Sequence, residues 1–373
     1  MSATSFNDRE KLASVVSSFR TGGDFGSATR IGSGHINDSW LIRTISGHGY
    51  VLQKINHHVF RDIPALTENI RIVTAHLEEK IASGIPEAGH LSAMKLVPAK
   101  DGRFFFRDPE GSWWRMYNHI EGSKSYDRVP GPLLAQEGGK AFGLFQLLTS
   151  DIPADTLKET IPGFHHIGKR LKAFHETVDK DPAGRVKDIK AEIAFTGSRE
   201  KEMLGFGRLT ESPGIPVRVT HNDTKFNNIL FDDNNRAVCI VDLDTVMPGT
   251  VLYDFGDAIR TGANRGEEDE KDPDKGGIDM DLFAAYTRGY LEAAGRFLTP
   301  AETGNLAFSS RFMTFIIGLR FLTDHIDGDR YYRIRFESHN LQRARAQFRL
   351  LETMEEKAGD MERIVDGIML TVS

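Results

Sequence analysis

His221-Asn222-Asp223-Thr224-Lys225-Phe226-Asn227-Asn228, followed by Ile240-Val241-Asp242, is the stretch that decides how this chain folds. It supplies a carboxylate at Asp223, a lysine two residues on, an amide at Asn228, and a second carboxylate at Asp242, 19 residues after the first. Residues 217–220 and 228–231 have strand patterning, 232–236 form a polar turn, and 237–242 read as another apolar strand. A hairpin folded at that turn brings Asn228 and Asp242 to one open end, with Asp223 in the loop just ahead. Phosphoryl transfer from a nucleotide needs such a set: a group to position the acceptor hydroxyl, a cation near the moving phosphoryl, and oxygen ligands for Mg²⁺. H-x-D alone is common, and Asp or Asn beside strand ends is usually a turn former. The spacing of the whole set carries the reading.

The stretch resembles the catalytic loop H-R-D-L-K-x-x-N of protein kinases. It is still more similar to that of the aminoglycoside phosphotransferase and choline kinase group of small-molecule kinases. The resemblance implies ATP and Mg²⁺ as cofactors, Asp223 as catalytic aspartate, Lys225 as the loop lysine, and Asn228 and Asp242 as metal ligands. Asp244 stands where that group usually has glycine; it is expected to add a second carboxylate at the metal, with a solvent-facing side chain as the alternative. Asp254-Phe255-Gly256 spells the kinase metal motif literally, but it lies 31 residues past Asp223 at what reads as a helix start. Asp242 is therefore the expected ligand, and Asp254 a structural residue.

A length of 373 residues allows two lobes, each with its own core. A net charge of −6 argues against a broad nucleic-acid or anionic-membrane surface. The single cysteine, Cys239, can form no intramolecular disulfide, which fits a reducing cytosol. The first ten residues show no secretory signal, and the apolar stretch at 312–319 is too short to span a bilayer. A cytoplasmic protein that binds neither membrane nor nucleic acid is expected.

Ahead of the catalytic stretch, two apolar runs flank a turn at Gly32-Ser33-Gly34, where backbone N–H groups could approach phosphates. The next strand, residues 50–55, carries Lys54. By the kinase resemblance Lys54 faces the α and β phosphates, and Glu68, in a helical segment over 63–82, orients it. Further strands are expected at 93–98 and 103–107. The run at 113–122 leaves strand pattern and enters polar territory; the kinase resemblance implies that the strand ending the first lobe becomes the hinge that reads adenine, for which Met116, Tyr117 and Asn118 (with His119) are the expected residues. Beyond it the periodicity turns helical over 133–148, 164–178, 280–294, 302–325 and 339–355. The fold expected is α+β, bilobal and protein-kinase-like. Residues 1–118 form a small antiparallel-sheet nucleotide lobe with one long helix; residues 119–373 form a larger, mostly helical catalytic and substrate lobe.

Several local patterns are set aside. Gly163-Phe164-His165-His166-Ile167-Gly168-Lys169 approximates a Walker A loop, but Arg170 follows where a Ser or Thr is needed and no strand precedes it. His175-Glu176 begins like a zinc-protease helix, yet Asp179 stands in place of the second histidine. The adjacent pairs His57-His58 and His165-His166 offer poor ligand geometry, and the acidic run at 266–272 reads as a solvated loop.

The segments at 34–38, 50–56, 159–165, 241–249, 253–260 and 318–325, with His339-Asn340-Leu341, are similar to those of N-acetylhexosamine 1-kinases. That resemblance covers about residues 25 to 350. It implies phosphorylation of the C1 hydroxyl of N-acetylglucosamine or N-acetylgalactosamine by ATP. A polyol needs several fixed donors and acceptors, for which His35, Asn37, Asp223, Arg260, Arg320 and Asp324 are the expected set. Structural pairs of Arg260 or Arg320 with Asp257 or Asp324 are the alternative. Another kinase of the same fold, acting on an aminoglycoside, methylthioribose or homoserine hydroxyl, stays open, as does a non-catalytic nucleotide- or sugar-binding regulator.

Overall fold

Alternating apolar and polar residues between Phe25 and Ile55 fold into three antiparallel strands, as period-2 patterning dictates. The computed structural model describes residues 6–31, 36–85, 88–272 and 274–372. In chain order the elements begin with α1 (Phe6–Val16), β1 (Phe25–Ile31), β2 (Asp38–Thr44), β3 (Gly49–Ile55), α2 (Ile63–Ala82), β4 (Phe106–Arg107) and β5 (Trp113–Asn118). They continue with α3 (Pro132–Thr149), α4 (Ile167–Lys180), α5 (Lys190–Thr210), β6 (Arg218–Thr220), β7 (Ile229–Phe231), β8 (Ala237–Ile240) and β9 (Met247–Gly249). The remainder is helical: α6 (Val251–Gly262), α7 (Met280–Ala294), α8 (Pro300–Thr303), α9 (Leu306–Ile326), α10 (His339–Glu356) and α11 (Ala358–Val372).

Two units result. The first is Met1–Lys124 with Asp155–Ile161 and Leu230–Met247; the second is Ser125–Ala154, Pro162–Ile229 and Pro248–Ser373. A single cut after residue 118 misses the two segments that return to the first unit. The β7–β8 hairpin forms at the expected turn, where Asp232 Oδ1 accepts from the N–H groups of Asn234 and Arg236 at 2.8 and 2.9 Å.

The first unit is built on a sheet of order β1-β2-β3-β5-β4. One face buries Ile42, Tyr50, Leu52, Trp114 and Met116 against Leu12, Val15 and Val16 of α1. Each such aliphatic side chain contributes on the order of 2 kcal/mol through burial. The strand expected at 93–98 is present only as a bonded edge: Val97 N–H donates to Met116 O at 2.8 Å, and Asn118 N–H to Lys95 O at 2.9 Å.

In the second unit α3 and α7 touch backbone to backbone. A Cβ at Gly139 would lie 2.1 Å from Tyr286 O, and one at Gly289 would lie 1.9 Å from Gln136 O, so only glycine fits at either crossing. The apolar stretch read as too short is part of α9, 21 residues long and apolar enough to cross a membrane by length and composition. Of its most apolar window 78% is buried within the protein, as in a central core helix. Helix α8 opens with a Thr299–Glu302 capping box. The same Glu302, fully buried, takes a bidentate pair from Arg218 at 2.7 and 2.9 Å, which fixes β6 and the loop that follows it.

Candidate active site

Asp254 holds the catalytic loop from beneath. It sits in the first turn of α6, where the Thr250 side chain caps the helix. Its carboxylate accepts from His221 N–H at 2.8 Å, Asn222 N–H at 2.7 Å and Gln146 Nε2 at 2.5 Å, while Thr224 Oγ1 donates to its carbonyl at 2.5 Å. Asn222 takes a left-handed φ of 62°, a conformation asparagine tolerates. The His221 ring is wedged edge-on against Phe142 and Phe145, with centroids at 5.6 and 5.9 Å. The contacts to His221, Asn222 and Thr224 fix the backbone on either side of Asp223. Asp254 is thus a loop anchor in the second unit, the structural role read from its spacing.

Asp223, Lys225 and Asn228 come together as the spacing predicts. Lys225 Nζ lies 3.1 Å from Asp223 Oδ1. Asn228 Nδ2 donates to Asp223 O at 2.8 Å and lies 3.3 Å from Asp223 Oδ2, which leaves the amide Oδ1 to act as an oxygen ligand. Burial raises the Asp223 pKa, but the Lys225 cation and the groups around it outweigh burial and hold it below the usual carboxylate range. Asp223 is therefore ionised at neutral pH, with Lys225 held protonated beside it.

Around this carboxylate lie Arg320, expected in the substrate set, and two residues outside that set, His165 and Arg170. His165 is 4% exposed, with Nε2 3.3 Å from Asn222 O and no hydrogen-bond partner for Nδ1. Burial, then the charges of Arg320 and Arg170, push its pKa down to about 3, so it is neutral at pH 7, and Asp223 pulls the other way. With Nε2–H donating, Nδ1 is left as an acceptor. Arg320 lies over Phe164, Tyr331 and Tyr332 at 4.8, 5.8 and 5.7 Å from the ring centroids. Arg170 donates to Phe164 O at 2.7 and 3.1 Å. Neither guanidinium has a carboxylate partner among the described residues. The false Walker motif and the adjacent histidines hid His165 and Arg170, because each pattern was judged only against a metal or P-loop use.

The His165 shift has a testable consequence. The folded pKa lies below the unfolded value of about 6.5, so acid protonates the unfolded chain first and stability is lost as pH falls from about 6.5 toward 3. Between pH 7 and 5 this one group costs about 2 kcal/mol. His165→Gln should therefore lose less melting temperature than wild type over that interval, as measured by calorimetry.

Other expected site residues are engaged elsewhere. Arg260 is saturated by Asp257 at 2.8 Å, Glu268 at 3.1 Å and Gln347 at 3.3 Å, so the structural-pair alternative holds for it. Asp324 accepts from Tyr331 N–H at 2.8 Å, Tyr332 N–H at 3.0 Å and Asn340 Nδ2 at 2.8 Å; it anchors the segment that carries the two tyrosines and does not pair with Arg320. The acidic run is no solvated loop. Glu268 pairs with Arg260, and Asp269 Oδ2 lies 2.8 Å from Nε2 of the buried His339.

In the first unit the strand register corrects the reading of Lys54. Tyr50, Leu52 and Lys54 share the sheet face packed by α1, and Lys54 Nζ lies 6.0 Å from the Trp114 ring. Gln53 occupies the opposite face, where its Oε1 accepts from Arg115. Counting by two from Leu52 would have found this. Lys54→Met is expected to leave the KM for ATP within about twofold, under 0.5 kcal/mol; a phosphate-binding lysine would show a far larger rise. Glu68 is likewise not its partner, because Arg71 holds that carboxylate at 2.6 and 2.8 Å on the same helix.

Met116, Tyr117 and Asn118 form an interior strand. Its backbone is bonded to Lys95 and Val97 on one side and registered with β3 on the other, which leaves residues 116–118 no edge to offer adenine. Asn37 spends both polar atoms inside the unit, donating to Asp244 Oδ2 at 2.6 Å and accepting from Asn56 N–H at 2.9 Å. Asp244 is 3% exposed and ion-paired with Arg115, whereas Asp242 is exposed with a left-handed φ of 59°. Gly32, Gly34 and His35 lie outside the described residues.

Known proteins share this fold. An aminoglycoside phosphotransferase from Alicyclobacillus acidocaldarius superposes with a TM-score of 0.60 at 12% identity, over 95% of this chain and 96% of that one. An amicoumacin kinase in complex with AMP-PNP, Ca²⁺ and Ami gives 0.59 at 13%, over 93% and 92%. A choline kinase from Cryptosporidium parvum Iowa II gives 0.57 at 14%, over 98% and 99%. The fold is protein-kinase-like, with an antiparallel-sheet N-terminal region and a helical C-terminal region. Residues 27–298 match the family described as APH, phosphotransferase enzyme family, and since that is well over half of its length, the chain belongs to that family.

Proposed function

We propose that the protein transfers the γ-phosphoryl group of ATP to the C1 hydroxyl of an N-acetylhexosamine. The observation that carries the acceptor assignment is the pair Arg170 and Arg320, which have no carboxylate partner among the described residues and whose charges depress His165. A polycationic aminoglycoside or a choline would meet like charge there. A neutral polyol with an acetamide offers acceptor oxygens to the guanidiniums and an apolar ring face to Tyr331 and Tyr332.

Asp223, ionised and fixed by Lys225 and Asn228, would orient the acceptor hydroxyl and take its proton late. An anomeric hydroxyl is more acidic than an ordinary alcohol, so a carboxylate of low basicity suffices. Lys225 offers a fixed positive charge to the phosphoryl oxygens. Asn228 Oδ1 in the second unit and, in the first, the Asp242 carboxylate each offer a hard oxygen of the kind Mg²⁺ takes; when bound, the ion would neutralise charge on the β and γ phosphates. The ion pair of Asp244 with Arg115 supports leaving it out of the ligand set.

A coupled ADP-release assay over free sugars, aminoglycosides, choline and homoserine tests the assignment. Turnover is expected on N-acetylhexosamines, and turnover confined to a cationic acceptor would overturn it.

A further inference from the structure

The turn that carries Asp242 is clamped at both ends within the first unit. Arg115, on β5 and 1% exposed, gives Nε and Nη2 to Gln53 Oε1 at 2.9 and 2.7 Å and pairs through Nη2 with Asp244 Oδ1. The other oxygen of Asp244 takes Asn37. Two residues on, Val246 O accepts from Asn69 Nδ2 at 3.0 Å, and Asn69 is itself held by the backbone of Lys158 at 2.7 and 2.9 Å. Between these anchors Asp242 adopts φ 59°, ψ 54°, followed by a single 3₁₀ turn, Leu243–Thr245.

Aspartate is one of the few non-glycine residues that enter the left-handed region, and the anchors on both sides of the turn hold Asp242 there. Burial works against the Arg115 charge, and Asp244 and Asp242 outweigh that cost. A buried ion pair is a poor source of stability compared with an apolar pair of the same size, so its presence beside a metal-ligand turn calls for another use. We propose that the Arg115–Asp244 pair is a positioning device that fixes the Asp242 carboxylate, and through it the divalent cation that accompanies the nucleotide. A glycine in place of Asp244 would leave this turn free to flip; here the pair locks it. The inference rests on the metal-ligand role proposed for Asp242 and is independent of which acceptor is used.

The test separates positioning from folding by comparing Arg115→Met, Asp244→Asn and the double variant with wild type. Each single variant leaves one buried charge uncompensated and should melt lower. The double variant removes both charges and should regain most of the lost melting temperature. Mn²⁺ binding in the presence of ADP, followed by electron paramagnetic resonance, is the second readout. We expect the double variant to remain about 10- to 100-fold weaker than wild type for Mn²⁺, the usual effect of losing a residue that orients a ligand. Wild-type Mn²⁺ affinity in the refolded double variant would overturn the proposal, since the pair would then serve folding alone. Should the double variant not fold, Arg115→Lys decides: it keeps the charge and loses the planar fork, so normal melting with weakened Mn²⁺ binding supports positioning, and unchanged Mn²⁺ binding refutes it. Asp242→Ala is the control for the underlying reading. If it retains full Mn²⁺ binding, Asp242 is not a ligand and the inference falls with that role.

Discussion

Asp223→Asn lowers kcat by about 10²–10⁴, the range for loss of a positioned proton acceptor, while the Kd for ATP stays within about threefold. The amide keeps the side-chain shape and can still meet Lys225 Nζ and Asn228 Nδ2 through its oxygen. It cannot take a proton, and the negative charge facing the hydroxyl is gone. Asp223 is not assigned to the nucleotide or to its cation, so the loss belongs to turnover. Stopped-time assays and equilibrium binding on folded variant protein measure the two quantities. Near-wild-type turnover would remove Asp223 from the chemistry.

The second large effect is expected at Asp254, on stability. Alanine there orphans three buried donors: the N–H groups of His221 and Asn222, and Gln146 Nε2. Each unsatisfied donor costs about 1–3 kcal/mol, together roughly 3–9, against a total stability on the order of 5–15 kcal/mol. A large drop in denaturation midpoint should therefore accompany loss of activity. Burial pushes the Asp254 pKa up to about 6, and the three donors pull it down. Because the folded value lies above the unfolded one of about 4, this group favours folding in acid, and that contribution fades as pH rises from about 4 to 6. The sign is opposite to that of His165. An Asp254→Ala protein that melts like wild type would show that the loop is held by something else.

What was legible in the sequence was local. The catalytic loop, the β7–β8 hairpin and the choice of Asp254 as a structural residue follow from spacing and turn chemistry within 35 residues of chain. The failures are of three kinds. Lys54 was assigned by motif without counting strand parity from Leu52, and parity puts it on the α1 face. Glu68, Arg260 and Asp324 were chosen as plausible partners for distant groups, but each is satisfied by nearer ones: Arg71, Asp257 with Glu268, and the backbone at Tyr331–Tyr332. Satisfaction of a buried polar group is decided by tertiary neighbours, which no spacing rule supplies. Arg170, His165 and Arg115 could not have been found this way, since their meaning lies in what does or does not pair with them at distant positions of the sequence, such as Asn222 for His165 and Asp244 for Arg115.

The central claim, transfer to an anomeric oxygen, is tested most directly by ³¹P NMR of the product formed from ATP and an N-acetylhexosamine. A glycosyl 1-phosphate, its phosphorus coupled to the anomeric proton, is the expected result. A 6-phosphate, or a product only from a non-sugar acceptor, would contradict it.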